Sequence, residues 1–187
     1  MSIFIAILGF LTYGSAVFQM FKGQYSPSLF SRAIWFLLGI NSFAGVALGS
    51  GSSASTLLAF TLLMGNGAVF LASIKKGSRT FGKTEVISLF LFMMSCIIWL
   101  LFNAPLLNLA ISLVAHFVGG VPTIARTLKD PDSEKAIHWY FFFIASIFTI
   151  IASPDKTFES ILFPVYFGLF DGLIILLVNR KRLLNII

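Results

Sequence analysis

"VFQMFKGQYSPSLFSRAIW", Val17 to Trp35, and "VPTIARTLKDPDSEKAIHW", Val121 to Trp139, carry one pattern twice. At a shift of 104 residues, Val17 meets Val121, Lys22 meets Arg126, Pro27 meets Pro131 and Trp35 meets Trp139, and Ser42 falls on Ser146 further along. A second pair, "GNGAVFLASIKK" (Gly65 to Lys76) and "FDGLIILLVNRK" (Phe170 to Lys181), aligns at a shift of 105. There Asn66 stands on Asp171, Gly67 on Gly172, Lys75 on Arg180 and Lys76 on Lys181. A slip of one residue is what a loop absorbs. Apolar helices resemble one another by composition, but tryptophan, proline and paired basic residues in register do not follow from composition. An internal repeat of this kind constrains the fold before any single element is assigned.

What is repeated is membrane-embedded. The 187 residues are 58% hydrophobic and 11% charged, with a mean hydropathy of +0.96, against about 25% charged and 45–50% apolar residues in a soluble domain. Spanning a bilayer takes about 20 predominantly apolar residues. Seven runs qualify: 3–22, 29–48, 55–74, 85–102, 105–127, 136–153 and 159–178. The links between them are too short for a separate soluble domain. The first run has no basic residue ahead of it and no small-residue cleavage site, so a retained helix is expected rather than a cleaved signal. The single cysteine, Cys96, lies inside the fourth run, which precludes an intrachain disulfide.

Charge sets the expected orientation. Lys22 and Arg32, the group Lys75, Lys76, Arg79 and Lys83, the group Arg126, Lys129 and Lys135, and the tail Arg180, Lys181 and Arg182 all fall on one side of the seven runs. Only Lys156 falls on the other. Basic loops stay cytoplasmic, so the N-terminus is expected outside and the C-terminus inside. The same distribution reads the net charge of +6 as membrane topology and argues against a nucleic-acid partner. Runs one to three and five to seven start on the same side, because four crossings separate them. The expected fold class is therefore an all-α integral membrane protein with seven transmembrane helices. They form two parallel three-helix repeats joined by a linker helix, with boundaries at 1–77, 78–103 and 104–187.

Polar residues at membrane depth are expensive and usually face a bundle interior or an aqueous cavity. At about 1.5 Å per residue, Asp171 lies roughly 18 Å along the seventh run, near mid-bilayer. A buried carboxylate has to be paired or protonated. His116 sits near the centre of the fifth run, Asn41 and Asn66 about halfway along the second and third, and Ser146 within the sixth. Asn41, Asn66, His116, Ser146 and Asp171 are the expected substrate-binding layer. Each also has a structural reading: asparagines as interhelical glue, serines bonded to their own helix, histidine satisfied within the core. Trp35 and Trp139, one or two turns from the basic end, are expected as cavity wall or inner gate, or as interfacial anchors. Pro122 interrupts the fifth helix and is expected to flex with them. Asp130, Asp132 and Glu134, interleaved with lysines, read as a solvated turn.

The stretch "GGVPTIARTLKDPDSE" (Gly119 to Glu134) and the "GNG" around Asn66, with Asp171-Gly172 in the equivalent place, resemble the PQ-loop superfamily and, within it, the SWEET-type carriers. That resemblance implies three helices, a linker helix and three more, with the N-terminus outside, and alternating access through a midplane site. It implies a small-molecule substrate and no cofactor. A sugar follows from the family. A cationic or amine-bearing solute, or a proton-coupled amino acid, follows from Asp171 standing where the sugar carriers have asparagine. A vitamin precursor is also open.

Several chemistries are excluded. The seventh run has no mid-depth lysine for a retinal Schiff base, and one acid at membrane depth cannot make an aspartyl protease pair. The sequence holds no Cys/His cluster, no HExxH and no phosphate-cradling glycine loop, so neither an enzyme nor a metal site is expected. The expected partners are a small-molecule substrate, membrane lipid and protons, with a homo-oligomer also compatible. The rival readings are a non-transporting receptor or scaffold of the same fold, and a channel, for which no charge ring is present.

Overall fold

The computed structural model describes residues 1–184, with side chains described as far as Arg180; the side chains of Lys181 and Arg182 in the basic tail lie outside the described residues. Seven α-helices follow in order: α1 Ser2–Phe21, α2 Leu29–Leu48, α3 Ser53–Lys76, α4 Lys83–Phe102, α5 Pro105–Lys129, α6 Ala136–Ala152 and α7 Phe158–Leu184. Six of them are long and apolar enough to cross a membrane. The exception, α6, is apolar but has 17 residues, about 26 Å of helix at 1.5 Å per residue. No strand occurs among the described residues. The helices match the seven apolar runs closely. The main extension is at α7, which continues past residue 178 because the helical backbone bonds outlast the apolar stretch.

The ends of the helices are fixed by short hydroxyl side chains. Ser28 Oγ accepts the Ser31 N–H at 3.3 Å and Ser52 Oγ accepts the Ser55 N–H at 3.1 Å, starting α2 and α3. At the basic end the first and third loops pair as a bridge. Leu29 N–H donates to the Ser78 carbonyl and Ser78 N–H to the Pro27 carbonyl, both at 2.9 Å. The loop after α5 makes a single 3₁₀ turn, Pro131–Ser133, in which Asp130 accepts the Asp132 N–H at 3.1 Å. Here the sequence reading of a solvated acidic turn needs correcting for one member. Glu134 is buried, ion-paired with Arg126, and has its second oxygen 3.9 Å from His138 Nε2.

Helix adjacency is regular. α3 packs against both α1 and α2, which do not pack directly on each other. α7 packs in the same way against α5 and α6, which likewise have no direct interface. Between these two groups α1 faces α6 and α2 faces α5. α4 lies along α5 and touches α2 more lightly.

The half of the bundle away from the basic end is a closed apolar core of Ile5, Leu58, Leu62, Leu109, Leu113, Phe163 and Phe167. Over it, one hydroxyl contact joins the α2–α3 loop to the α6–α7 loop and a second joins the first turns of α3 and α7. Ser52 and Ser153 hydroxyls meet at 2.8 Å, and Ser55 Oγ donates to the Ser160 carbonyl. Ser52 bonds Ser55 at 3.0 Å and Thr157 bonds Ser160 at 3.1 Å. These pairs are themselves 105 residues apart in sequence.

Candidate functional site

Two cavities lie in line on the basic half of the bundle. The deeper one, about 40 Å³, is lined by Tyr13 of α1, Arg32 and Trp35 of α2, Asn66 of α3, His116 of α5, His138 and Trp139 of α6, and Asp171 of α7, among others. The shallower one, about 300 Å³, is a polar vestibule lined by Ser28, Ser31, Ser78, Thr80, Glu85, Pro122 and Arg126. Tyr25, Arg32 and Trp35 line both and so form the partition between them. A water needs roughly 10–15 Å³ measured this way, so the inner cavity takes water-sized groups while the vestibule has room for a small metabolite.

The partition is held by three contacts. Arg32 Nη2 donates to the Tyr25 hydroxyl. The Arg32 guanidinium lies 4.5 Å from the centre of the Trp35 ring and 5.7 Å from that of Tyr25, a cation–π geometry. Burial raises the Tyr25 phenol above its ordinary pKa, with the nearby Arg32 charge pulling the other way, so the hydroxyl stays protonated and acts as a neutral acceptor. Tyr25 also lies 6.0 Å, ring to ring, from His138, which in turn sits 4.9 Å from Trp139. The partition's contacts thus reach from the first loop to α6. Trp35 fits because position 119 has no side chain: a Cβ on Gly119 would stand 2.6 Å from Trp35 Nε1.

Of the residues expected from sequence, Asn66, His116, Asp171, Trp35 and Trp139 line the inner cavity and Pro122 lines the vestibule. Asn66 is buried with neither amide atom hydrogen-bonded, Asp171 is buried with Oδ2 unpartnered, and the indole nitrogens of Trp35 and Trp139 are likewise without a partner. An unsatisfied buried polar group costs about 1–3 kcal/mol, and a charge at mid-bilayer about 2.5–3.5 kcal/mol on the insertion scale. Several such costs converging on one cavity mark a place where polar groups are kept for something other than the fold.

The remaining two expected residues lie elsewhere. Asn41 Nδ2 shares its two N–H groups among Ser95 Oγ at 2.8 Å, Asn108 Oδ1 at 2.8 Å and Ser112 Oγ at 2.7 Å, and Asn108 Nδ2 returns a bond to Asn41 Oδ1 at 3.1 Å. It is the centre of a polar knot joining α2, α4 and α5. Ser146 donates to the Phe142 carbonyl of its own helix at 2.9 Å. His116 faces the cavity, yet its Nδ1 is bonded to the Tyr166 hydroxyl at 2.9 Å and its ring is stacked on Trp35 at 4.6 Å. It bonds Tyr166 rather than Asp171.

Sequence reasoning missed Arg32, Tyr25, Tyr13 and His138. Arg32 was legible in principle. It stands one helical turn before Trp35, on the same face of α2, and a long basic side chain can carry its charge well away from its own Cα. No family model matches this chain, and neither a curated protein nor a solved structure matches it.

Proposed function

We propose that this chain is a secondary carrier of PQ-loop or SWEET type that moves a small polar metabolite by alternating access. On this reading residues 1–77 and 104–187 are parallel repeats about an axis along the membrane normal, and 78–103 is the linker. The helix adjacency supports it: exchanging α1, α2 and α3 for α5, α6 and α7 turns the α1–α6 interface into the α5–α2 interface. The hydroxyl pairs Ser52/Ser55 and Thr157/Ser160, at the shift that relates Asn66 to Asp171, support it independently.

The observation that carries the proposal is the pairing of Asn66 with Asp171. Two positions matched by the repeat line one cavity, both buried, both with side-chain atoms left unbonded. The vestibule on the basic side and the sealed core on the other describe a carrier closed to the outside. With basic loops cytoplasmic, the vestibule opens to the cytoplasm and the N-terminus lies outside. Asp171 is the group that a coupled proton or a cationic part of the solute meets. The chain performs no covalent chemistry.

Solute counterflow in proteoliposomes tests this. The purified protein is expected to give saturable, trans-stimulated uptake of at least one polar metabolite, lost when Asn66 and Asp171 are both replaced by leucine. Saturable binding without flux makes the protein a receptor instead, and non-saturating flux makes it a channel.

A further inference from the structure

The inner cavity holds one fixed cation and one acid, and neither has a partner of opposite charge. Among the described residues the ion pair is Arg126 with Glu134, whose second oxygen lies 3.9 Å from His138 Nε2. Arg126 is therefore matched, whereas Arg32 spends its hydrogen bond on a neutral phenol and its face on Trp35. Asp171, on α7, is 2% exposed with Oδ2 unpartnered. Both groups line the same cavity, and so does Tyr13.

Toward the basic end the unbonded groups are the donors Trp35 Nε1 and Trp139 Nε1, beside the guanidinium, together with His138 Nδ1, a ring nitrogen that donates or accepts according to tautomer. Deeper in, Asp171 Oδ2 is an acceptor, and Asn66 offers both an acceptor and a donor. We infer that the cavity is built for a small zwitterion, an amino acid, with its carboxylate taken by Arg32 and the indole N–H groups and its ammonium by Asp171 and Asn66 Oδ1. This rests on the carrier reading for transport, though not for binding.

The inference follows from complementarity. A carboxylate only accepts and an ammonium only donates, so a zwitterion satisfies both ends of the cavity. A sugar or an amine leaves the permanent charge of Arg32 without a counter-charge, and an organic anion brings no ammonium to Asp171, whereas a zwitterion supplies both. At about 40 Å³ the cavity is too tight for the whole molecule while the partition is shut. The substrate carboxylate therefore has to displace the Tyr25 hydroxyl from Arg32. A bond in which both partners are charged, and which a guanidinium and a carboxylate can make bidentate, replaces one to a neutral acceptor. Displacement also joins the cavity to the vestibule, so binding and opening of the partition are one event.

The test is equilibrium binding to the purified full-length chain in detergent. The probes are the twenty common amino acids, the amide and the N-acetyl derivative of each one that binds, and glucose. Free amino acids are expected to bind, and blocking either end is expected to weaken binding about tenfold or more. Arg32→Gln is expected to abolish the penalty for the amide and Asp171→Asn the penalty for the N-acetyl form, with unfolding temperatures confirming that both variants fold. Binding of an amino acid without counterflow supports this site while defeating the carrier proposal. Glucose binding in preference to every amino acid, no binding by any amino acid, or equal binding of the wild-type protein to free and end-blocked forms overturns the inference. The last comparison needs no variant.

Discussion

Asn41 and Asn66 are chemically identical, equally buried, and opposite in what they do for the fold. Asn41 makes four side-chain hydrogen bonds across three helices, so truncating it leaves Asn108, Ser95 and Ser112 short of partners. Interhelical polar contacts in membranes are worth about 1–2 kcal/mol at the upper end. Asn41→Ala is expected to lower stability by that amount in detergent unfolding while leaving counterflow substrate preference intact. Asn66 has no side-chain bond to lose. Asn66→Ala is expected to leave the unfolding midpoint unchanged or raised, because an orphan amide is removed, while counterflow falls steeply. An equal loss of stability in both variants would make Asn66 a structural residue.

At the level of the helices, glycine separates tolerance from constraint. A Cβ on Gly65 of α3 would run into the ring of Tyr13 on α1, whereas one on Gly14 of α1 would meet nothing within 4 Å. Tyr13 in turn meets Phe142 of α6 edge-on at 5.9 Å, so displacing it disturbs the wall of the inner cavity. Gly65→Ala is expected to cost about 1–3 kcal/mol through overpacking. Gly14→Ala is expected to be neutral or to gain up to about 1 kcal/mol through helix propensity. Thermal melts of the two single variants read this directly. The contrast also explains what the sequence conveys. Helix positions and depths were legible, because an apolar run long enough to span has few alternatives and a mid-run Asp171 cannot be ignored. Azimuth was not, because a helix that is apolar all round carries no stripe to separate lipid from neighbour. Asn41 and Asn66 share a depth but face different places, and only the packing of α4 and α5 tells them apart. Arg32 was read as a loop charge because it stands near the start of α2, although its side chain lines both the vestibule and the inner cavity.

For the molecule as a whole, the two interfaces between the halves are unlike. The α2–α5 interface holds the Asn41 knot and is backed by α4, whose Ser95 joins the knot and whose Ser88 donates to the Ala115 carbonyl at 3.0 Å. The α1–α6 interface rests on apolar and aromatic contacts, with Phe4 and Phe148 stacked at 6.4 Å and Tyr13 against Phe142. Nitroxide labels at Ile3 and Ile151, both lipid-exposed at the far ends of α1 and α6, are expected to move by several ångströms relative to each other when substrate is added. Labels at Leu48 and Leu107, exposed at the same end on α2 and α5, are expected to keep their spacing. Pulsed electron–electron distance measurements on a Cys96→Ser background check both, and equal movement of the two pairs would refute the asymmetry.

The polar knot has a consequence for how a carrier built from the two proposed repeats would move. The register that sets Trp35 on Trp139 also sets Asn41 on Ala145, and sets Phe4 and Leu8 on Asn108 and Ser112. Where one seam is riveted by amides and hydroxyls, its counterpart is an oiled joint of phenylalanine, leucine and alanine. On the carrier reading, two halves joined in this way are expected to swing like a door on one jamb rather than rock like a balanced seesaw, with the riveted seam as the post and the space between α1 and α6 as the side from which the doorway widens.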